Sequence, residues 1–280
     1  IDPTGEKKTA IVTCTDEPHS LGVQDYLFLT IKSPALLPSL KAMKPLIGKD
    51  TTIITCMNGI PHWYFHKLDN KYANYKIKCL DPNLLIDTIL PPDNIVGSVV
   101  YPACEIVKPG TIKHIAGNRF SLGEPEGSES DRLKFISDIL KRAGFRAPIQ
   151  KNIRDEIWLK LIGNLSFNPI SALTGATLEQ ICNDQGTEAI VRAMMTEAKI
   201  IAEELGAKIS MSIEKRIEGA RKVGAHKTSM LQDIEAGKPI EIDSIIIAVK
   251  ELGELTCSPT PYIDTILNLT LQKAKLIGCL

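Results

Sequence analysis

The sequence predicts an α/β region over residues 1–150 followed by an all-helical region over residues 151–280. Three observations carry that reading. Residues 25–32, 51–57 and 95–101 are short, nearly continuous apolar runs, the pattern of strands covered on both faces of a parallel sheet. A helical stretch at 33–44 lies between the first two runs, and strand, helix and strand in so few residues imply a right-handed crossover between parallel neighbours. From residue 152 onward strand-like alternation gives way to helical periods at 153–173, 187–205, 213–223, 242–252 and 261–276.

Taken in order, residues 1–6 read as a turn around Pro3 and Gly5, and alternation at 9–14 suggests an edge strand. Lys32 stands at the carboxyl end of the first apolar run, and Ser33-Pro34 suits a helix start. The second run ends in Met57-Asn58-Gly59, and the third is followed by Pro102 and the small Ala103. Open parallel sheets bind ligands beyond the carboxyl ends of their strands, which is where Lys32, Asn58 and Ala103 fall. Residues 60–68 read as short helix or irregular chain, and 70–93, rich in Asn, Asp and Pro, as a surface excursion. Segments 111–116 and 119–123, joined through Gly117-Asn118, read as a hairpin, 128–144 as an amphipathic helix, and 145–150 as a last extended piece. In the helical region, residues 229–237 form a helix with a Gly237 stop, and Pro239 to Asp243 begins the next. Taken alone, Ser229 and Asp233 read as a cap and a solvated residue, and Glu241 as a carboxylate favoured at a helix amino terminus.

Composition narrows the function classes. At 280 residues, 44% hydrophobic and 24% charged, the chain has ample material for one or two packed domains, and two are expected. Thirty-three basic residues balance thirty-three acidic ones without a basic block, which argues against nucleic acid and for a small uncharged or anionic ligand. Seven scattered cysteines, with no Cys-x-x-Cys, point to reduced, mostly packing thiols and a cytoplasmic location. His62 and His66 have the spacing of a metal pair but no third ligand nearby in sequence, so no metal is expected. No apolar run reaches membrane-spanning length, and the first residues are not a signal sequence.

The stretch 157–169 carries the strongest chemical signal. Lys160, Asn164 and Asn168 are four apart, and four-residue steps around a helix keep three such residues within about 80° of its circumference. The other faces are mostly Ile, Leu, Trp and Phe, so the helix is expected to be buried nearly all round. A solvated stripe normally carries Glu, Lys and Arg. Asn is a mediocre helix former whose amide can instead hold a ligand hydroxyl in a pocket.

Lys32, Met57-Asn58-Gly59, the Lys160-x3-Asn164-x3-Asn168-Pro169 helix, Ser229-Met230-Leu231-Gln232-Asp233 and Glu241-Ile242-Asp243 together resemble ketopantoate reductase, over nearly the whole chain. The resemblance implies a Rossmann-like parallel-sheet domain followed by an all-α substrate and dimerisation domain. It also implies NADP(H)-dependent reduction of 2-dehydropantoate (ketopantoate) to pantoate, on the route to pantothenate and coenzyme A. Carried over motif by motif, Lys160 is the proton donor, and Asn164, Asn168 and Ser229 bind the substrate. Lys32, Asn58 and Ala103 line the nicotinamide side of the cofactor. Glu241 contacts cofactor or substrate near the reacting carbon and orients Lys160. A homodimer through the helical domain is expected.

The family opens on a strand running into Gly-x-Gly-x-x-Gly, and nothing here matches it, since Gly5 and Gly22 are isolated. The expected reading is a Rossmann-like domain truncated at its amino terminus, which as an isolated chain binds NADPH poorly. Bulky residues at 60–65, among them Trp63, Tyr64 and Phe65, raise a second expectation, an aromatic wall suited to a different 2-oxo acid. A third reading is a non-catalytic relative that has lost dinucleotide binding.

Overall fold

The computed structural model describes residues 1–280. The chain divides into two compact units: residues 1–31, 39–57 and 87–153 form the first, and 32–38, 58–86 and 154–280 the second.

The first unit is built on a four-stranded sheet, β1 (Tyr26–Leu29), β2 (Thr52–Thr55), β3 (Ile95–Val100) and β6 (Phe120–Gly123), in the order β1-β2-β3-β6. β1–β2 and β2–β3 are parallel, with Tyr26 opposite Thr52 and Ile53 opposite Ile95. β6 runs antiparallel to β3, so the sheet is mixed. Helix α1 (Ser33–Met43) is the β1–β2 crossover, and α3 (Asp131–Arg142), capped by the Ser130 hydroxyl accepting from Leu133 N–H, packs on the sheet. Ile54, Val96, Leu122, Leu133, Ile136, Leu140 and Ala147 form the core there.

The hairpin is not the one the sequence suggests. β4 (Ala103–Lys108) pairs with β5 (Thr111–Ala116) across a turn at Gly110, whose φ is +72°. Segment 120–123 leaves that pair for β3, because Gly117 (φ +74°) lets the chain pass against the Tyr101 carbonyl, where a Cβ would lie 2.5 Å from the oxygen. Residues 9–14 form no strand and are exposed. β1 is shorter than expected and only Leu29 of it is buried, as befits the sheet's edge; Phe28 is 40% exposed.

The second unit is helical: α4 (Ile153–Thr174), α5 (Leu178–Asn183), α6 (Gln185–Glu204), α7 (Ile213–Val223), α8 (Ser229–Glu235), a π-helical turn at Asp243–Ile247 leading into α9 (Ala248–Thr256), and α10 (Pro261–Ile277). α5 escapes the periodicity reading because it spans under two turns; its signal is the capping box Thr177/Gln180. Segment 70–93 is more than a surface excursion. Ile77 and Leu90 are buried, as is Ile86 in α2 (Leu85–Ile89), and buried Asp81 accepts from the Leu85 and Ile86 amides at 2.7 and 2.8 Å. Glu251 of α9 holds the same segment, accepting from Tyr75 Oη and from the Lys78 and Cys79 amides at 2.9, 2.7 and 2.9 Å. Burial, then Glu251, push the Tyr75 phenol up to about 12.

All seven cysteines are free thiols, but only Cys182 and Cys279 are buried; Cys14, Cys104 and Cys257 are exposed, so packing accounts for few of them. No helix is long and apolar enough to cross a membrane.

Candidate active site

The polar stripe rides on α4, whose apolar faces are buried nearly all round, as expected from its sequence: Ile157, Trp158, Leu161, Ile162, Leu165, Phe167 and Ile170 are all buried. Three attachments fix the helix. Arg154 donates from Nε to the Tyr64 carbonyl and from Nη2 to that of His66, both at 2.7 Å. The Trp158 indole N–H donates to Tyr64 Oη at 2.7 Å. At the far end Lys273 Nζ caps the Ala172 and Leu173 carbonyls at 2.5 and 3.1 Å, supplying a cation where the helix dipole is negative. On this rigid rod Lys160 and Asn164 are half-buried and Asn168 is buried.

Lys160 Nζ donates to Asn58 Oδ1 at 2.7 Å, and Asn58 Nδ2 donates to Glu241 Oε2 at 3.0 Å. The order is chemically forced. An ammonium can only donate and a carboxylate can only accept, so the Asn58 amide has one orientation that satisfies both. Glu241 is 5% exposed, and its other oxygen accepts from the Ser33 amide at 3.3 Å. In this chain of bonds one carboxamide links the carboxylate to the ammonium.

Lys32 forms an ion pair with Asp233. Asp233 is therefore not a solvated residue: it is 7% exposed and neutralises a lysine distant in sequence. Ser229 is exposed at the first position of α8, and the cap is Thr228, whose hydroxyl accepts from Leu231 N–H at 3.4 Å. Within the second unit the structure thus joins Lys160, Asn58, Glu241 and Ser33, and separately Lys32 and Asp233. Ala103 belongs to the first unit, half-buried at the start of β4. Sequence reasoning left Ser33 as a helix start and assigned no ligand or site role to Ser244, whose hydroxyl donates to Ser33 Oγ at 3.1 Å. No spacing rule reveals either, because their partners lie more than 200 positions away.

The family model for ketopantoate reductase PanE/ApbA matches residues 1–127, and that for its C-terminal part matches residues 152–274. The 2-dehydropantoate 2-reductase of Mesorhizobium japonicum is 47% identical over 275 residues, covering 98% of this chain and 84% of the relative. The chain belongs to the ketopantoate reductase family. A crystal structure from Ralstonia solanacearum MolK2, provisionally named a ketopantoate reductase, superposes with a TM-score of 0.91 at 39% identity, covering 95% of this chain and 81% of that one. The fold extends further, to D-mandelate dehydrogenase bound to NADH and anilino(oxo)acetate, with a TM-score of 0.76 at 22% identity over 92% of this chain and 78% of that one.

The aromatic tract of this ketopantoate reductase family member does not form a ligand wall. Trp63, Tyr64 and Phe65 are 2%, 0% and 1% exposed, and Tyr64 packs edge-on against Phe65 and Trp158 while Phe65 packs against Tyr75. Burial pushes the Tyr64 phenol up to about 12, so it stays a neutral partner for the indole. Tyr64 anchors α4 and with it Lys160.

Proposed function

We propose that this protein reduces 2-dehydropantoate to pantoate with NADP(H), serving pantothenate and coenzyme A synthesis in the cytoplasm, with Lys160 as proton donor. The observation that carries this reading is the Lys160–Asn58–Glu241 chain at 2.7 and 3.0 Å. A carbonyl that gains hydride develops alkoxide charge. A fixed ammonium stabilises that charge as it forms and then delivers a proton to the oxygen, leaving a neutral amine that recovers its proton from solvent. Asn58, oriented by Glu241, accepts one of the ammonium hydrogens and so holds the Lys160 head in place. Asn164 and Asn168, one and two turns along the same stripe, take the substrate hydroxyl and carbonyl groups, and Ser229 takes the carboxylate.

Lys32 and Asn58, beyond the carboxyl ends of β1 and β2, together with Ala103, are the residues that would hold the nicotinamide end of the cofactor, which supplies hydride when bound. Within the second unit Lys32, paired with Asp233, and Asn58 offer the polar groups that a nicotinamide carboxamide would meet. In this reading residues 1–150 serve the dinucleotide and 151–280 the substrate and a homodimer contact.

NADPH oxidation by the full-length protein with ketopantoate, beside Lys160→Ala, tests the reading. The expected result is turnover that falls about 100- to 10,000-fold in the variant, the range for loss of a general acid. Turnover unaffected by the substitution overturns the role of Lys160. Preference for a 2-oxo acid lacking the hydroxyl overturns the substrate, and equal use of NADH overturns the cofactor preference.

A further inference from the structure

The turn at Asp243–Ile247 is wound as a π-helix directly after Glu241, and its consequence lies in one carbonyl. The Ala248 amide donates to the Asp243 carbonyl, five residues back, and so passes over that of Ser244. The released Ser244 carbonyl accepts instead from the Ile60 amide at 2.8 Å. For that bond the chain at 58–60 must lie against the turn. Gly59 allows it: with φ at +85° it holds a conformation that L side chains rarely adopt, and a Cβ there would sit 2.4 Å from the Ser244 oxygen and 2.6 Å from its Cβ. The Ser244 hydroxyl then reaches Ser33 Oγ at 3.1 Å, and the Ser33 amide reaches Glu241.

We propose that this widened turn is a positioning device for Asn58, with Gly59 and Ser244 as positioning residues. One irregular turn sets both ends of the Asn58 interaction: it clasps the backbone next to Asn58 and, through Ser33, steadies the carboxylate that orients the Asn58 amide. An ordinary α-turn would bring an amide of the helix to the Ser244 carbonyl, in competition with that of Ile60. π-turns are rare and recur at functional sites because they free such a group. The inference rests on the reading of Lys160 as proton donor for its effect on rate, and on geometry alone for its effect on Asn58.

The test is Gly59→Ala beside Gly224→Ala, a glycine at φ +81° with open space around it, which carries the backbone strain without the clash. Gly59→Ala is expected to lower kcat at least tenfold relative to Gly224→Ala, with KM for the 2-oxo acid changed less than threefold, and to separate Asn58 Oδ1 from Lys160 in its crystal structure. A kcat within twofold of Gly224→Ala, or an unmoved Asn58, overturns the proposal. If the wild type turns over no 2-oxo acid, the proposed function fails and the crystal structure alone decides the clasp. If Gly59→Ala does not fold, hydrogen exchange of the wild-type Ile60 amide decides it. Protection comparable to that of the α9 amides is expected, and exchange as fast as in an exposed loop refutes the bond.

Discussion

Replacing Asn58 by Ala removes a group that touches both ionic partners. Its two hydrogen bonds, at 2.7 Å to the Lys160 ammonium and 3.0 Å to the Glu241 carboxylate, are charge-assisted, and each such bond contributes about 1.5–3 kcal/mol. Glu241, 5% exposed, would keep only the longer bond from the Ser33 amide at 3.3 Å. Glu241→Gln does something different: it leaves Asn58 in place but removes the charge that forces its amide orientation, since a glutamine can meet either end of that amide. We expect Glu241→Gln to lower kcat roughly 10- to 100-fold, about 1.4–2.7 kcal/mol of barrier, and Asn58→Ala to lower it at least as much. If Glu241 acts through Asn58, the double variant should be no slower than Asn58→Ala alone. The coupling energy then equals the whole Glu241→Gln effect, well above the ~0.5 kcal/mol within which independent sites add. Single-turnover rates for the four proteins measure it. Additive losses would mean that Glu241 reaches the reaction by another route, and the bridging role of Asn58 would be wrong.

Two further outcomes follow from the packing. Tyr64→Phe should destabilise the protein by about 1–3 kcal/mol in urea unfolding, because it strands the buried Trp158 N–H, and the loss should be independent of pH while pH stays below the ordinary tyrosine value of 10.0, since the folded value is raised to about 12; no loss would mean the indole finds another acceptor. Glu197 accepts from the Tyr262 and Ile263 amides at 2.9 Å each at the start of α10, and burial raises its pKa above the ordinary 4.5. A carboxyl raised in the folded state binds its proton more tightly there. Its contribution is therefore fully present below the unfolded value and is lost as pH rises through the folded one. Glu197→Gln should remove that decline, which stability measured across the mildly acidic range would reveal; an unchanged slope would refute it.

The site's two halves differ in how much of them is legible along the chain. The stripe Lys160, Asn164 and Asn168 is a local fact, since four-residue spacing aligns side chains on any α-helix whatever surrounds it. The apolar runs that become β2 and β3 are equally local, because a strand buried on both faces needs apolar residues throughout. Segment 120–123 shows the opposite case. Its alternation says strand but not which strand, and it pairs with β3 rather than with β5 because Gly117 turns the chain away.

By itself, then, the sequence determined the buried strands β2 and β3, the long helices, which face of α4 is polar, and the family to which the chain belongs. Only the tertiary structure decided that Asp233 is a buried counterion of Lys32, that Tyr64 anchors α4, and that one turn after Glu241 opens to release a carbonyl for Ile60. The physical reason is range: helical and strand periodicity repeats every few residues, whereas a hydrogen bond from Asn58 to Glu241 joins groups 183 positions apart and leaves no periodic trace.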